Sequence, residues 1–120
     1  MNFYIVKWEL KKNNIVYKAI NSCIAFTTSL EGKQLLVVED LMLENGSLHP
    51  VQSAMVNYHG SQCGFCTPGQ LMTATALLEN NASPDAQTVK EALVGNLCRC
   101  SNYNAIVEAV VAAGDQGGVA

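Results

Sequence analysis

Four of the five cysteines in this 120-residue chain fall into two tight pairs, Cys63-x-x-Cys66 and Cys98-x-Cys100. The fold must therefore present two pairs of sulfurs. Closely paired cysteines point to metal or redox chemistry more often than to disulfides when the compartment is reducing. Cys23 stands apart from both pairs.

Each pair lies just before a stretch that reads as a helix, and this placement is chemically sensible. The first N–H groups of a helix have no partner within it, and its N-terminal end carries partial positive charge. Both favour thiolate over thiol and offset the negative charge of a thiolate-ligated centre. Gly64 lets the backbone between Cys63 and Cys66 bend closely, and an extended Cys98-Arg99-Cys100 segment puts residues i and i+2 on one side.

The flanking pattern is mainly helical after Glu39, with four amphipathic segments. The first runs from about His49 to His59, with Pro50 in its first turn, Val51, Ala54, Met55 and Tyr58 on one face, and Gly60 as the stop. The second begins at Thr67, where Thr67, Pro68 and Gln70 fit a capping box, and it buries Leu71, Ala74, Leu77 and Leu78 before ending near Asn80-Asn81. Ser83 and Pro84 open a third, with Ala86, Val89, Ala92 and Leu93 inward and Gly95 as its C-cap. The fourth, capped by Ser101 or Asn102, carries Ile106, Ala109, Val110 and Ala113 and closes at Gly114. Four short amphipathic helices make a small bundle.

Before Glu39 the pattern is strand-like. Tyr4, Val6, Trp8 and Leu10 alternate, Lys11 to Asn14 interrupt, and Ile15 to Tyr17 resume, which reads as a hairpin. Cys23 to Thr28 and Gln34 to Val38 are further short strand candidates, separated by Glu31-Gly32-Lys33. The expected organisation is a β segment over residues 1–44, a helical domain over 45–114 and a tail over 115–120.

Composition excludes several classes of function. Apolar residues make up 49% of the chain, enough for a core, but no run approaches the ~20 residues of a membrane span. The first ten residues include Lys7 and Glu9 and lack a small-residue cleavage site, so they do not read as a secretory signal, and a cytoplasmic address is expected. The first 18 residues hold four lysines and one glutamate, whereas the rest hold three basic and nine acidic residues, which argues against nucleic acid as a partner. His49 and His59 read as a helix-start contact and a helix-end surface residue rather than as ligands. No Ser/His/Asp or paired-carboxylate arrangement stands out for substrate chemistry.

Spacing alone leaves two metals open. Four thiolates suit an iron-sulfur cluster, and they also satisfy a closed zinc site. The C-x-C form of the second pair argues for iron, because zinc ribbons usually repeat C-x-x-C. Phe65 and Leu97 are apolar neighbours that either keep water from the sulfurs or simply join the core. Arg99, between two candidate ligands, offsets cluster charge, contacts a partner's carboxylate or a cofactor's phosphate, or is solvated.

The blocks Gln62-Cys63-Gly64-Phe65-Cys66-Thr67-Pro68-Gly69 and Gly95-Asn96-Leu97-Cys98-Arg99-Cys100 resemble the two signatures of the [2Fe-2S] subunit of the xanthine dehydrogenase family. Aldehyde oxidoreductases and carbon monoxide dehydrogenases belong to the same family of molybdenum hydroxylases. Leu48-His49-Pro50-Val51-Gln52, Asn21-Ser22-Cys23, Tyr103 and Ile106 to Val110 extend the resemblance over roughly residues 19–112. It implies one [2Fe-2S] cluster on Cys63, Cys66, Cys98 and Cys100, with Gln62 and Cys100 closest to the molybdopterin of a separate large subunit. It also implies electron relay from that molybdopterin towards a flavin subunit, with molybdopterin and FAD held only by partners.

The chain departs from the family pattern upstream. Members begin with a plant-type ferredoxin domain whose second cluster uses four cysteines, and Cys23 matches only the last of them. With no cysteine before it, a lone thiolate cannot hold that cluster, so the second cluster is expected to be absent and the β segment to be a ferredoxin remnant. Cys23 would then be a small buried residue or a free thiol. Ser101-Asn102 replaces the family's usual Thr-Gly. The alternative function is a non-redox remnant or a zinc-binding structural module without electron transfer.

Overall fold

The computed structural model describes residues 4–6, 9–11 and 14–116, with side chains from Val16 onward. The fold is mainly α, as expected. Four helices, α1 (Pro50–Asn57), α2 (Thr67–Asn80), α3 (Ala86–Ala92) and α4 (Tyr103–Asp115), follow four three-residue strands, β1 (Tyr4–Val6), β2 (Glu9–Lys11), β3 (Asn14–Val16) and β4 (Ala19–Asn21). β2 and β3 form the expected hairpin, with Leu10 opposite Ile15. β1 pairs antiparallel with β4, Ile5 opposite Ile20. The expected alternation through Trp8 and the basic N-terminal patch rest largely on residues outside those described.

The strands expected after β4 do not form. Ser22–Ile24 and Thr27–Leu30 are 3-10 turns, and residues 33–37 are irregular. Asn21 explains the first departure: its side-chain oxygen accepts the amide of Cys23 and turns the chain out of the strand. Cys23 is consequently exposed, not buried.

α1 starts where Pro50 predicts, and His49 supplies its cap. The imidazole Nδ1 accepts the Val51 amide at 3.3 Å, while the Gln52 side chain accepts the His49 amide at 2.9 Å. Val51, Ala54 and Met55 are buried, but Tyr58 is exposed, because the chain leaves the helix there and His59 takes φ +55 to bring Gly60 back over Met55. The capping box expected at α2 is absent. Cys66 occupies the cap position, Thr67 Oγ1 bonds Ser61 Oγ at 2.8 Å, and Gln70 turns inward. α3 is capped two residues later than Ser83-Pro84 suggests: Asp85 accepts the Thr88 amide at 2.7 Å. Ala86, expected inward, is exposed in consequence, while Val89 and Leu93 are buried. Gly114 does not end α4, which continues one residue further.

α4 packs on α1 and α3, and α2 lies against α1, α3 and the β1–β4 pair. Met72, Leu78, Ile106, Val51, Val89 and Val110 are fully buried where the helices meet. Each such side chain contributes on the order of 1.5–3 kcal/mol by leaving water. Asn80 at the end of α2 donates to the Tyr17 carbonyl at 2.9 Å and so joins the bundle to the β segment. Among the described residues no helix is long and apolar enough to cross a membrane.

Candidate metal centre

The two cysteine pairs meet across the gap between helix starts. Cys63 lies beside Cys100 and Cys66 beside Cys98, close enough that Cys100 bears on the ionisation of Cys63 and Cys98 on that of Cys66. Each pairing thus joins one sulfur from the loop before α2 to one from the loop before α4. Among the described residues no group of three or more His, Cys, Asp or Glu side chains converges as a site for a single metal ion. Four cysteine sulfurs at two facing helix starts are a donor set that a binuclear [2Fe-2S] centre would use in full.

Local structure supports this arrangement. Gly64 takes φ +81, a left-handed conformation that side-chain-bearing residues rarely adopt, and the chain turns there so that Thr67 N–H reaches the Gly64 carbonyl. α2 begins immediately after Cys66. On the other side, Ser101 takes φ +58 and donates its amide to the Cys98 carbonyl at 3.1 Å, closing the turn that carries Cys98 and Cys100.

The thiols differ in environment. Cys63 is exposed, and the Phe65 amide, followed by the Cys100 side chain, holds its pKa below the usual thiol value. Cys66 is half-buried, and desolvation, followed by the neighbouring Cys98, pushes it up to about 11. Cys98 is buried and Cys100 half-buried.

A cavity of about 480 Å³ opens beside the sulfurs, lined by Cys63, Cys66, Phe65, Leu97 and Arg99 among others. Phe65 and Leu97 are 83% and 75% exposed, so neither belongs to the core; they form an apolar rim at the mouth of the site. Arg99 stands at the same mouth and is exposed. Gln62 lies exposed on the loop before Cys63. His49 and His59 are not gathered with the cysteines: His49 is the buried cap of α1, and desolvation lowers its pKa.

Sequence reasoning missed the buried support beneath the site. Gln70 and Asn96 are almost fully buried; Gln70 Nε2 donates to the Asn96 carbonyl at 3.1 Å, and Asn96 Nδ2 bonds Thr73 Oγ1 at 3.0 Å. These bonds tie the second cysteine loop to α2. A helical-wheel signal existed for Gln70, which is four residues before Ala74 and eight before Leu78 on one face. Tyr103 Oη also accepts the Cys98 amide at 2.8 Å.

Paired cysteines at two helix starts, carried on a compact bundle beside an open mouth, have the make-up of a cluster-binding domain. Residues 37–111 match the family described as the [2Fe-2S] binding domain. The chain is 50% identical over 100 residues to the nicotine 6-hydroxylase small subunit of Paenarthrobacter nicotinovorans, a match covering 83% of this chain and 59% of that protein. It is 42% identical over 106 residues to the xanthine dehydrogenase of Blastobotrys adeninivorans, covering 88% of this chain and 8% of that one. The quinoline 2-oxidoreductase structure from Pseudomonas putida 86 superposes with a TM-score of 0.80 at 31% identity, over 97% of this chain and 69% of that chain. The chain belongs to the [2Fe-2S] binding domain family of the molybdenum hydroxylases, and one [2Fe-2S] cluster is its cofactor.

Proposed function

We propose that this protein is the electron-transfer component of a molybdenum hydroxylase, with Cys63, Cys66, Cys98 and Cys100 holding its cluster. The carrying observation is that the two cysteine pairs come together at neighbouring helix starts, Cys63 beside Cys100 and Cys66 beside Cys98. A [2Fe-2S] cluster supplies one-electron transfer, and the chain's residues supply ligation, shielding and a face for docking. The helical unit, 45–114 in the sequence reading, is the cluster-binding domain, with residues 1–44 a ferredoxin-like segment beside it and 115–120 a tail.

In this reading the protein takes electrons one at a time from a molybdopterin centre in a partner subunit and passes them towards a flavin partner. Gln62 and Cys100 face the molybdopterin side. The exposed rim of Phe65 and Leu97 and the charge of Arg99 give that face apolar area and a cation for a cofactor phosphate or a partner carboxylate. Similarity to a relative named as a hydroxylase small subunit supports a role as one component among several.

The test is anaerobic purification with iron, acid-labile sulfide and zinc measured per chain, and an EPR spectrum after dithionite reduction. Two irons, two sulfides and one reduced [2Fe-2S] signal, lost on Cys63→Ser or Cys98→Ser and kept on Cys23→Ser, are expected. Stoichiometric zinc without sulfide, or a folded chain without metal, would overturn the assignment.

A further inference from the structure

The amide of Cys98 is already engaged within the protein. It donates at 2.8 Å to the phenol oxygen of Tyr103, the first residue of α4. Backbone N–H groups around a thiolate-ligated cluster ordinarily hydrogen-bond its sulfurs, and such bonds raise the reduction potential by stabilising the more negative reduced state. Cys98 is also the most buried of the four cysteines, 4% exposed, so water does not replace a withheld donor there.

The same bond fixes the loop mechanically. Asn96, two residues before Cys98, is tied to α2 through Gln70 and Thr73, and Tyr103 holds Cys98 to α4. The loop carrying Cys98 and Cys100 is thereby held from two helices. Tyr103 itself is 41% exposed and, with Leu97 and Val94, lines a cavity of about 340 Å³ on the outer face of the loop. Its hydroxyl proton remains available for a second partner there.

We propose that Tyr103 is a positioning residue for the [2Fe-2S] cluster: by accepting the Cys98 amide it withholds that donor from the sulfurs and keeps the midpoint potential low. This rests on the cluster assignment above. Removing the acceptor frees the amide to turn to sulfur, and any added solvent access stabilises the reduced state in the same direction.

The test is redox titration of the purified chain, followed by EPR and visible circular dichroism, for wild type and Tyr103→Phe. Iron and sulfide content are measured first. A wild type without cluster would defeat the assignment itself, independently of Tyr103. With both proteins loaded, Tyr103→Phe is expected to titrate at a more positive potential, the ratio of reduced to oxidised cluster at a fixed poise near the wild-type midpoint rising several-fold. An unchanged potential in a loaded Tyr103→Phe protein would overturn the proposal. If Tyr103→Phe does not fold or load, 3,5-difluorotyrosine at position 103 replaces it in mildly acidic buffer, where the phenol stays protonated. That substitution weakens the acceptor while keeping the ring; a smaller positive shift supports the proposal, and no shift overturns it.

Discussion

The side-chain amide of Asn102 donates to the main-chain carbonyl of His59 at 2.8 Å, joining the loop that follows Cys100 to the loop that precedes Cys63. Asn102 occupies the cap position of α4, yet its side chain does not cap that helix. It bridges the two cysteine-bearing loops instead. Glycine, usual at this place in the family the sequence resembles, could not make the bond.

Asn102→Gly should therefore loosen the site more than the bundle. The expected loss is about 1 kcal/mol of stability, the usual net worth of one intramolecular hydrogen bond, read by urea denaturation. Release of iron to a chelator should accelerate alongside it. Equal denaturation midpoints and equal release rates would show that the bridge is idle.

Thiol reactivity in the metal-free chain should follow environment. Cys63, whose ionisation is favoured by the Phe65 amide and Cys100, should be alkylated first. Cys66, pushed up to about 11, should be slowest of that pair, with roughly a hundred-fold less thiolate near neutral pH than an unperturbed cysteine. Mass spectrometry of timed iodoacetamide reactions reads the order, and faster labelling of Cys66 than of Cys63 would contradict it.

His49 predicts a pH dependence of stability. Its Nδ1 accepts the Val51 amide only when unprotonated, and burial lowers its folded pKa below the ordinary 6.5. The folded state then binds fewer protons than the unfolded one, so stability from this group is full above 6.5 and is lost as pH falls towards the folded value. His49→Asn keeps a cap without a titrating group. Its stability relative to wild type should rise as the buffer is acidified below 6.5, and a constant difference would refute the linkage.

Gly114 and Gly95 should respond oppositely to alanine. A Cβ at Gly114 would lie 2.9 Å from the Ala82 carbonyl oxygen and 3.1 Å from Pro84 Cδ, so α4 could not keep its approach to the loop between α2 and α3. Gly114→Ala should cost about 1–3 kcal/mol in thermal or chemical denaturation. At Gly95 nothing lies within 4 Å of the added atom, and Gly95→Ala should be near neutral.

The helices were legible because their signals are local. Pro50 and Pro68 fall within the first turns of α1 and α2, and Ile106, Ala109, Val110 and Ala113 keep one buried face through α4. The misread residues are those whose polar groups have tertiary alternatives. Thr67 and Asn102 look like caps, but Ser61 and the His59 carbonyl lie within reach and take their side chains. Gln70 looks like part of a cap, but it turns inward and, with Thr73, holds Asn96 and the second cysteine loop from beneath. The pairing of Cys63 with Cys100 and of Cys66 with Cys98 could not be read from spacing, because it depends on how α2 and α4 meet.

Exposure falls in steps across the four sulfurs, from Cys63 in the open, through Cys66 and Cys100, to buried Cys98. Held as proposed, the cluster has one side from which it can be built. A carrier delivering iron and sulfide meets Cys63 first, at the most easily ionised thiol of the first pair, and the bond at Cys98 closes last as the second loop settles. Loss starts from the same open side. Damage by oxidants or chelators should therefore begin at the Cys63 and Cys100 edge, the edge that a docked subunit would cover.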